Sequence, residues 1–148
     1  MSLLAKLQDD MKLALKSREA LRLSTLRLVL SSVSYARIEK RGELTDDEVL
    51  GVLTREAKKR RESVEAAVSA GRTDIAEAEG SELNIINEYL PKQLDEAEVE
   101  ALVKSIIAEV GAVDIKDRGK VMGPLMAQTR GRADGKLASA IVERLLRG

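Results

Sequence analysis

Apolar residues recur along this chain at intervals of three and four, the pattern of helices with one buried face. Residues 2–16 place Leu4, Leu7, Met11 and Leu15 on one side. Beyond Ser17-Arg18 a longer helix is predicted to about Lys40. It carries Leu21, Leu26, Leu28, Val29, Val33, Tyr35 and Ile38, with a narrow polar face of Ser24, Arg27, Ser31 and Ser34. A helix apolar around most of its circumference belongs in the middle of a bundle. Gly42 ends it. The next start reads Leu44-Thr45-Asp46-Asp47-Glu48-Val49, in which Thr45 caps, Glu48 reaches back and Leu44 staples onto Val49. This third helix runs to about Ala70 on a seam of Leu50, Leu53, Ala57, Arg60, Val64 and Ala67, so a charge occupies one core-like position. An acidic fourth segment, Asp74 to Tyr89, contains Gly80-Ser81, where a bend or restart is expected, and Pro91 disfavours helix at Leu90.

Leu90-Pro91-Lys92-Gln93 marks a boundary between an amino-terminal helical domain, 1–91, and a carboxy-terminal one, 92–148. A second capping box, Asp95 with Glu98, opens a fifth helix whose stripe is Val99, Leu102, Val103, Ile106, Ile107 and Val110, closed by Gly111. A sixth spans about Ile115 to Thr129. Pro124 costs a helix interior about 3 kcal/mol, so a kink or break is expected near Gly123. The seventh is capped by Asp134 and buries Leu137, Ala138, Ile141, Val142 and Leu145. The fold class is all-α: a four-helix bundle-like domain followed by a three-helix one. Both are small enough to pack on each other.

Composition narrows the chemistry. The chain has no Cys and no His, which removes thiolate and imidazole zinc sites, disulfides, and nucleophilic catalysis with an imidazole base. No active site is legible and no cofactor is expected. The acids sit at caps and solvated faces, and adjacent carboxylates diverge by about 100° around a helix, so no metal is expected. No apolar run approaches the ~18 residues that span a bilayer, and the amino terminus lacks a signal-peptide pattern. The expected address is cytoplasmic, with no membrane partner.

The ordered set of Leu26-Arg27-Leu28, REAKKRRES at 55–63, GRTDIAEAE at 71–79, ELNIINEYLPKQL at 82–94 and GRADGK at 131–136 resembles the YqeY family. The run from Asp117 to Leu146 is similar to the tail module of GatB, a subunit of the tRNA-dependent amidotransferases. That resemblance implies contact with tRNA. It also carries a family label of carbon–nitrogen ligase with glutamine as amido donor. The catalytic parts of such enzymes lie outside the tail and have no counterpart in this chain, so catalysis by the chain alone is not expected.

Charge is balanced, with 25 Lys+Arg and 25 Asp+Glu, but unevenly spread. Residues 111–148 hold eight cations against four acids, whereas residues 92–110 hold two against five. The functional reading is that Arg118, Lys120, Arg130, Arg132 and Lys136 neutralise phosphates of tRNA or another structured RNA, helped by a glycine-bearing loop and the first amides after Asp134. The alternative is an ordinary solvated surface. Two tyrosines, both at positions that look buried, leave little for stacking on bases, so binding would read backbone and shape.

A second basic group, Arg55 with Lys58, Lys59, Arg60 and Arg61, reads either as another phosphate-contacting ridge (Lys58, Lys59, Arg61) or as partners for Asp74, Glu77, Glu79 and Glu82. The structural pairing is favoured, and a partly buried Arg60 needs a carboxylate. Ser24, Arg27, Ser31 and Ser34 mark close helix packing in preference to a ligand groove. A helical adaptor for a protein partner is the alternative function. A monomer is favoured.

Overall fold

A computed structural model describes residues 1–147. Its seven α-helices are α1 (Leu3–Lys16), α2 (Ala20–Lys40), α3 (Asp46–Ser69), α4 (Thr73–Asn87), α5 (Glu96–Val110), α6 (Arg118–Thr129) and α7 (Gly135–Arg147), with a 3-10 turn at Ile115–Asp117. No strand occurs among the described residues, so the protein is all-α. The chain divides into two compact units, Met1–Leu90 and Pro91–Gly148.

The first unit packs α1 to α4 around Leu7, Leu26, Val29, Val33, Val49, Leu53, Ala57 and Ile86. Its helix starts follow local chemistry. The Ser2 hydroxyl caps α1 by accepting from the Ala5 amide, and the full capping box of α3 forms between Thr45 and Glu48. Two core assignments shift. Ala14, not Leu15, faces the core of α1, and Leu15 is exposed.

α2 is not enclosed. Only Thr25, Leu26, Val29 and Val33 are buried on it, while Leu21, Leu28, Tyr35 and Ile38 are 44%, 50%, 75% and 73% exposed. The expectation of a buried Tyr35 is thus overturned. A four-helix unit covers one side of α2 with α1, α3 and α4, and its remaining apolar positions have no further element in the unit to meet. Gly80 does not interrupt α4 either; the glycine penalty of about 1 kcal/mol is offset by burial of Ile85 and Ile86 and by the tie from Glu82 to Arg60.

The second unit packs α5, α6 and α7 around Val99, Val103, Ile106, Val121, Leu125, Ile141 and Val142. Asp95 caps α5 by accepting from the Glu98 amide (2.7 Å), and Gly111 ends it in the left-handed region at φ 70°. Pro124 lies inside a continuous α6 and does not break it. The carbonyl of Lys120, which loses its amide partner there, sits on an exposed face where water can satisfy it.

Candidate nucleic-acid interface

The connection from α6 to α7 reverses the chain within residues 130–134. Gly131 supplies the turn at φ 74°, a conformation that an L side chain strains to adopt. Three hydrogen bonds then fix the connection to the segment before α5. The Leu94 amide donates to the Arg132 carbonyl (2.7 Å), Gln93 Nε2 donates to the Gly131 carbonyl (2.7 Å), and Arg132 Nε donates to the Lys92 carbonyl (3.2 Å). The result is a braced turn that carries exposed Arg130 and Lys136, with Lys92 beside it.

The five expected cations do not share one environment. Arg118 donates to the Ser139 hydroxyl (2.6 Å) and lies 3.3 Å from the Glu143 carboxylate. Lys120 Nζ is 3.4 Å from Asp117, whose carboxyl is held below its usual range chiefly by the Val113 amide and then by Lys120. Arg130, Arg132 and Lys136 have no carboxylate within ion-pair distance among the described residues, although Arg132 is committed to the Lys92 carbonyl. Arg144 is taken up by Glu100, which it holds below the ordinary carboxylate range. In the second unit Lys116, Arg130, Arg132, Lys136 and Arg147 have no carboxylate within ion-pair distance among the described residues, and three of these five stand at the braced turn, with Lys92 beside them. Lys92 was invisible from sequence because it belongs to a stretch with net negative charge; only the tertiary brace brings it to the turn. Its Nζ is 4.0 Å from Glu98 and the side chain is largely exposed.

The start of α7 offers less to an anion than its sequence suggests. Asp134 Oδ1 accepts from the Lys136 amide (3.3 Å), so a carboxylate already stands at the helix N-terminus. One of the first amides of α7 is thereby already taken. The second unit contains no aromatic residue, which removes base stacking from it.

In the first unit the basic residues of α3 divide. Arg60, 7% exposed, donates from Nη1 to the Glu56 carboxylate (2.6 Å) and from Nε to Glu82 (3.1 Å). Glu56, also 7% exposed, accepts from the Ser32 hydroxyl (2.7 Å). Burial pushes the Glu56 carboxyl up, but hydrogen bonds from Ser32 and Arg60, aided by Lys59, outweigh it and hold the group below its usual value. The pairing of Arg60 with an acid of α4 matches the structural expectation, while the second partner, Glu56, is marked in the sequence only by its i,i+4 spacing from Arg60. Lys59 sits 3.8 Å from Glu56, and Lys58 and Arg61 pair with no carboxylate among the described residues. Ser24, Arg27, Ser31 and Ser34 are exposed. They do not mark close helix packing; the last three line a groove of about 430 Å³ with α1 residues Leu4, Gln8 and Met11.

No group of three or more acidic residues converges on a metal position among the described residues, and no helix is long and apolar enough to cross a membrane. These features define a small all-helical protein with a braced cationic turn in its second unit and a buried ion-pair clasp in its first. The chain belongs to the Yqey-like protein family, whose profile matches residues 4–146.

Its relatives include the "Altered inheritance of mitochondria protein 41, mitochondrial" of Lachancea thermotolerans, 29% identical over 147 residues, covering 95% of this chain and 79% of that protein. The protein of the same name from Pyrenophora tritici-repentis is 29% identical over 134 residues, covering 88% and 72%. An uncharacterized protein of Schizosaccharomyces pombe is 38% identical over 87 residues, covering 59% and 68%. The names of the first two relatives overturn the cytoplasmic address expected from the sequence, which rested only on missing signals.

Proposed function

We propose that the protein is a non-catalytic accessory that holds the phosphate backbone of a structured RNA, of the tRNA class, through its second unit. The observation that carries this reading is the braced α6–α7 turn, where Arg130 and Lys136 are exposed with no carboxylate within ion-pair distance among the described residues and the neighbouring Lys92 has only Glu98, at 4.0 Å. Bracing matters because a fixed set of cations orders fewer side chains on binding than a floppy tail does. The resemblance of this region to the GatB tail supports an RNA partner over another polyanion. With no aromatic residue in the unit, contact is to phosphates and ribose, read by shape.

The test is binding of a folded tRNA to the full chain and to a Lys92→Ala, Arg130→Ala, Lys136→Ala triple variant at several salt concentrations. The three side chains are exposed, so the variant keeps its fold. The expected result is salt-sensitive binding that the variant loses by at least tenfold at low salt. Equal affinity for both proteins, or no binding by the wild type at low salt, overturns the reading.

A further inference from the structure

We infer that the first unit associates with a second copy of this chain through α2, in an antiparallel pair whose two-fold axis passes beside Leu28. The argument starts from the exposed apolar positions. Leu21, Leu28 and Tyr35 follow one another at seven-residue intervals and Ile38 continues the same face, so four large apolar side chains form one stripe on α2. Such a row is commonly covered by a partner helix.

The occupant follows from symmetry and charge. Leu21 and Tyr35 stand seven residues before and after Leu28. An antiparallel copy centred there brings Leu28 against its counterpart and each Leu21 level with the other chain's Tyr35, an isologous contact. At the Leu21 end, a groove of about 420 Å³ bordered by Glu19, Leu21, Arg22 and, on α4, Ser81, Asn84 and Ile85 leaves room for the larger tyrosine ring. The charges that bracket the stripe are complementary in the same register. Arg18 and Glu19 precede it, Glu39 and Arg41 follow it, and none of the four has an ion-pair partner within the chain among the described residues. Antiparallel pairing brings the α2 start that follows Arg18 and Glu19 beside the other chain's α2 end, which carries Glu39 and leads into Arg41, within reach of these long side chains. Opposed helix dipoles favour the antiparallel sense as well.

The absence of native cysteine allows a direct test. The full-length Leu28→Cys variant is expected to form a covalent dimer under mild oxidation. A mixture of Leu21→Cys and Tyr35→Cys chains should cross-link to each other and not to themselves. Light scattering should give the mass of two chains for the wild type and of one for Leu28→Glu, whose unchanged circular dichroism shows that the exposed site was altered without unfolding. A monomeric wild type across the accessible concentration range, or a Leu21→Cys chain that cross-links to itself, overturns the inference. A foreign helix as the true occupant appears as the first of these outcomes.

Discussion

Arg60 is buried together with Glu56 and paired also with the half-buried Glu82, and that arrangement sets the cost of disturbing it. Glu56 and Glu82 satisfy the guanidinium, and Ser32 satisfies the remaining acceptor of Glu56, so α2, α3 and α4 share one polar clasp. Removing Glu56 leaves the buried guanidinium with only the half-buried Glu82, a loss at the lower end of the about 3–5 kcal/mol that breaking a buried ion pair costs. Glu56→Ala is therefore expected to destabilise the protein by about 3 kcal/mol in a urea melt, whereas the double replacement Glu56→Leu, Arg60→Met should cost much less. The depressed Glu56 pKa gives the same clasp a pH dependence. Its contribution is present above the ordinary value of 4.5 and is lost as pH falls through the lower folded value. Urea midpoints of wild type and Glu56→Gln should accordingly converge well below pH 4.5 and diverge at neutrality. A second residue-scale expectation concerns Tyr89, whose hydroxyl donates to Asp10 (2.5 Å). Burial, then that hydrogen bond and the Asp10 charge, raises its pKa above the usual 10.0, so its share of stability persists below 10.0 and fades only as pH climbs through the raised value. In a Tyr35→Phe chain, where Tyr89 is the remaining tyrosine, ultraviolet titration should show little phenolate at pH 10.0 while the protein stays folded.

At the scale of helices, what local chemistry controls was legible and what packing controls was not. The Thr45–Glu48 box and the Asp95 cap were readable because a cap is satisfied within four residues of chain. Thr45→Ala should cost about 1 kcal/mol, measured as a shift in the thermal or urea midpoint. By contrast Gly80 and Pro124 both sit inside unbroken helices, because neighbouring helices decide the outcome that local propensity only biases. Pro124 is exposed and contributes no amide to α6. Pro124→Ala restores a donor to the Lys120 carbonyl and should stabilise the protein by roughly 1–3 kcal/mol. A neutral or destabilising result would mean that the proline's ordering of the unfolded chain outweighs the recovered bond. The face of α2 escaped the sequence for a related reason. Periodicity tells which positions are apolar, not how many helices are present to cover them. Arg60 shows the opposite case: its place on the seam of Leu53 and Ala57 was readable, and so was its need for an acid, but the choice of Glu56 and Glu82 depended on how α3 and α4 lie together.

For the molecule as a whole, a net charge of zero does not prevent polyanion binding, because the count that matters is of cations left without acids. The sequence segregated charge by stretches of chain, whereas pairing works through space. Arg118, Lys120 and Arg144 are answered by Glu143, Asp117 and Glu100, whereas Arg130, Arg132 and Lys136 at the braced turn have no carboxylate within ion-pair distance among the described residues and Lys92 beside them has only Glu98, at 4.0 Å. If each of those four met one phosphate of a helical RNA, counterion release would give a plot of log affinity against log salt a slope of roughly −3.6, taking about −0.9 per contact. Removing Lys92 and Arg130 by alanine should bring the slope to about −1.8, while Arg118→Ala and Lys120→Ala, which remove cations paired with Glu143 and Asp117, should leave it nearly unchanged. Because the unit has no ring to stack on bases, the wild-type affinity should vary little between folded RNAs of different sequence at one salt concentration. A slope that Arg118→Ala and Lys120→Ala reduce as much as Lys92→Ala and Arg130→Ala would place the contact on the other end of α6, and with it the assignment of the braced turn as the binding element would fail.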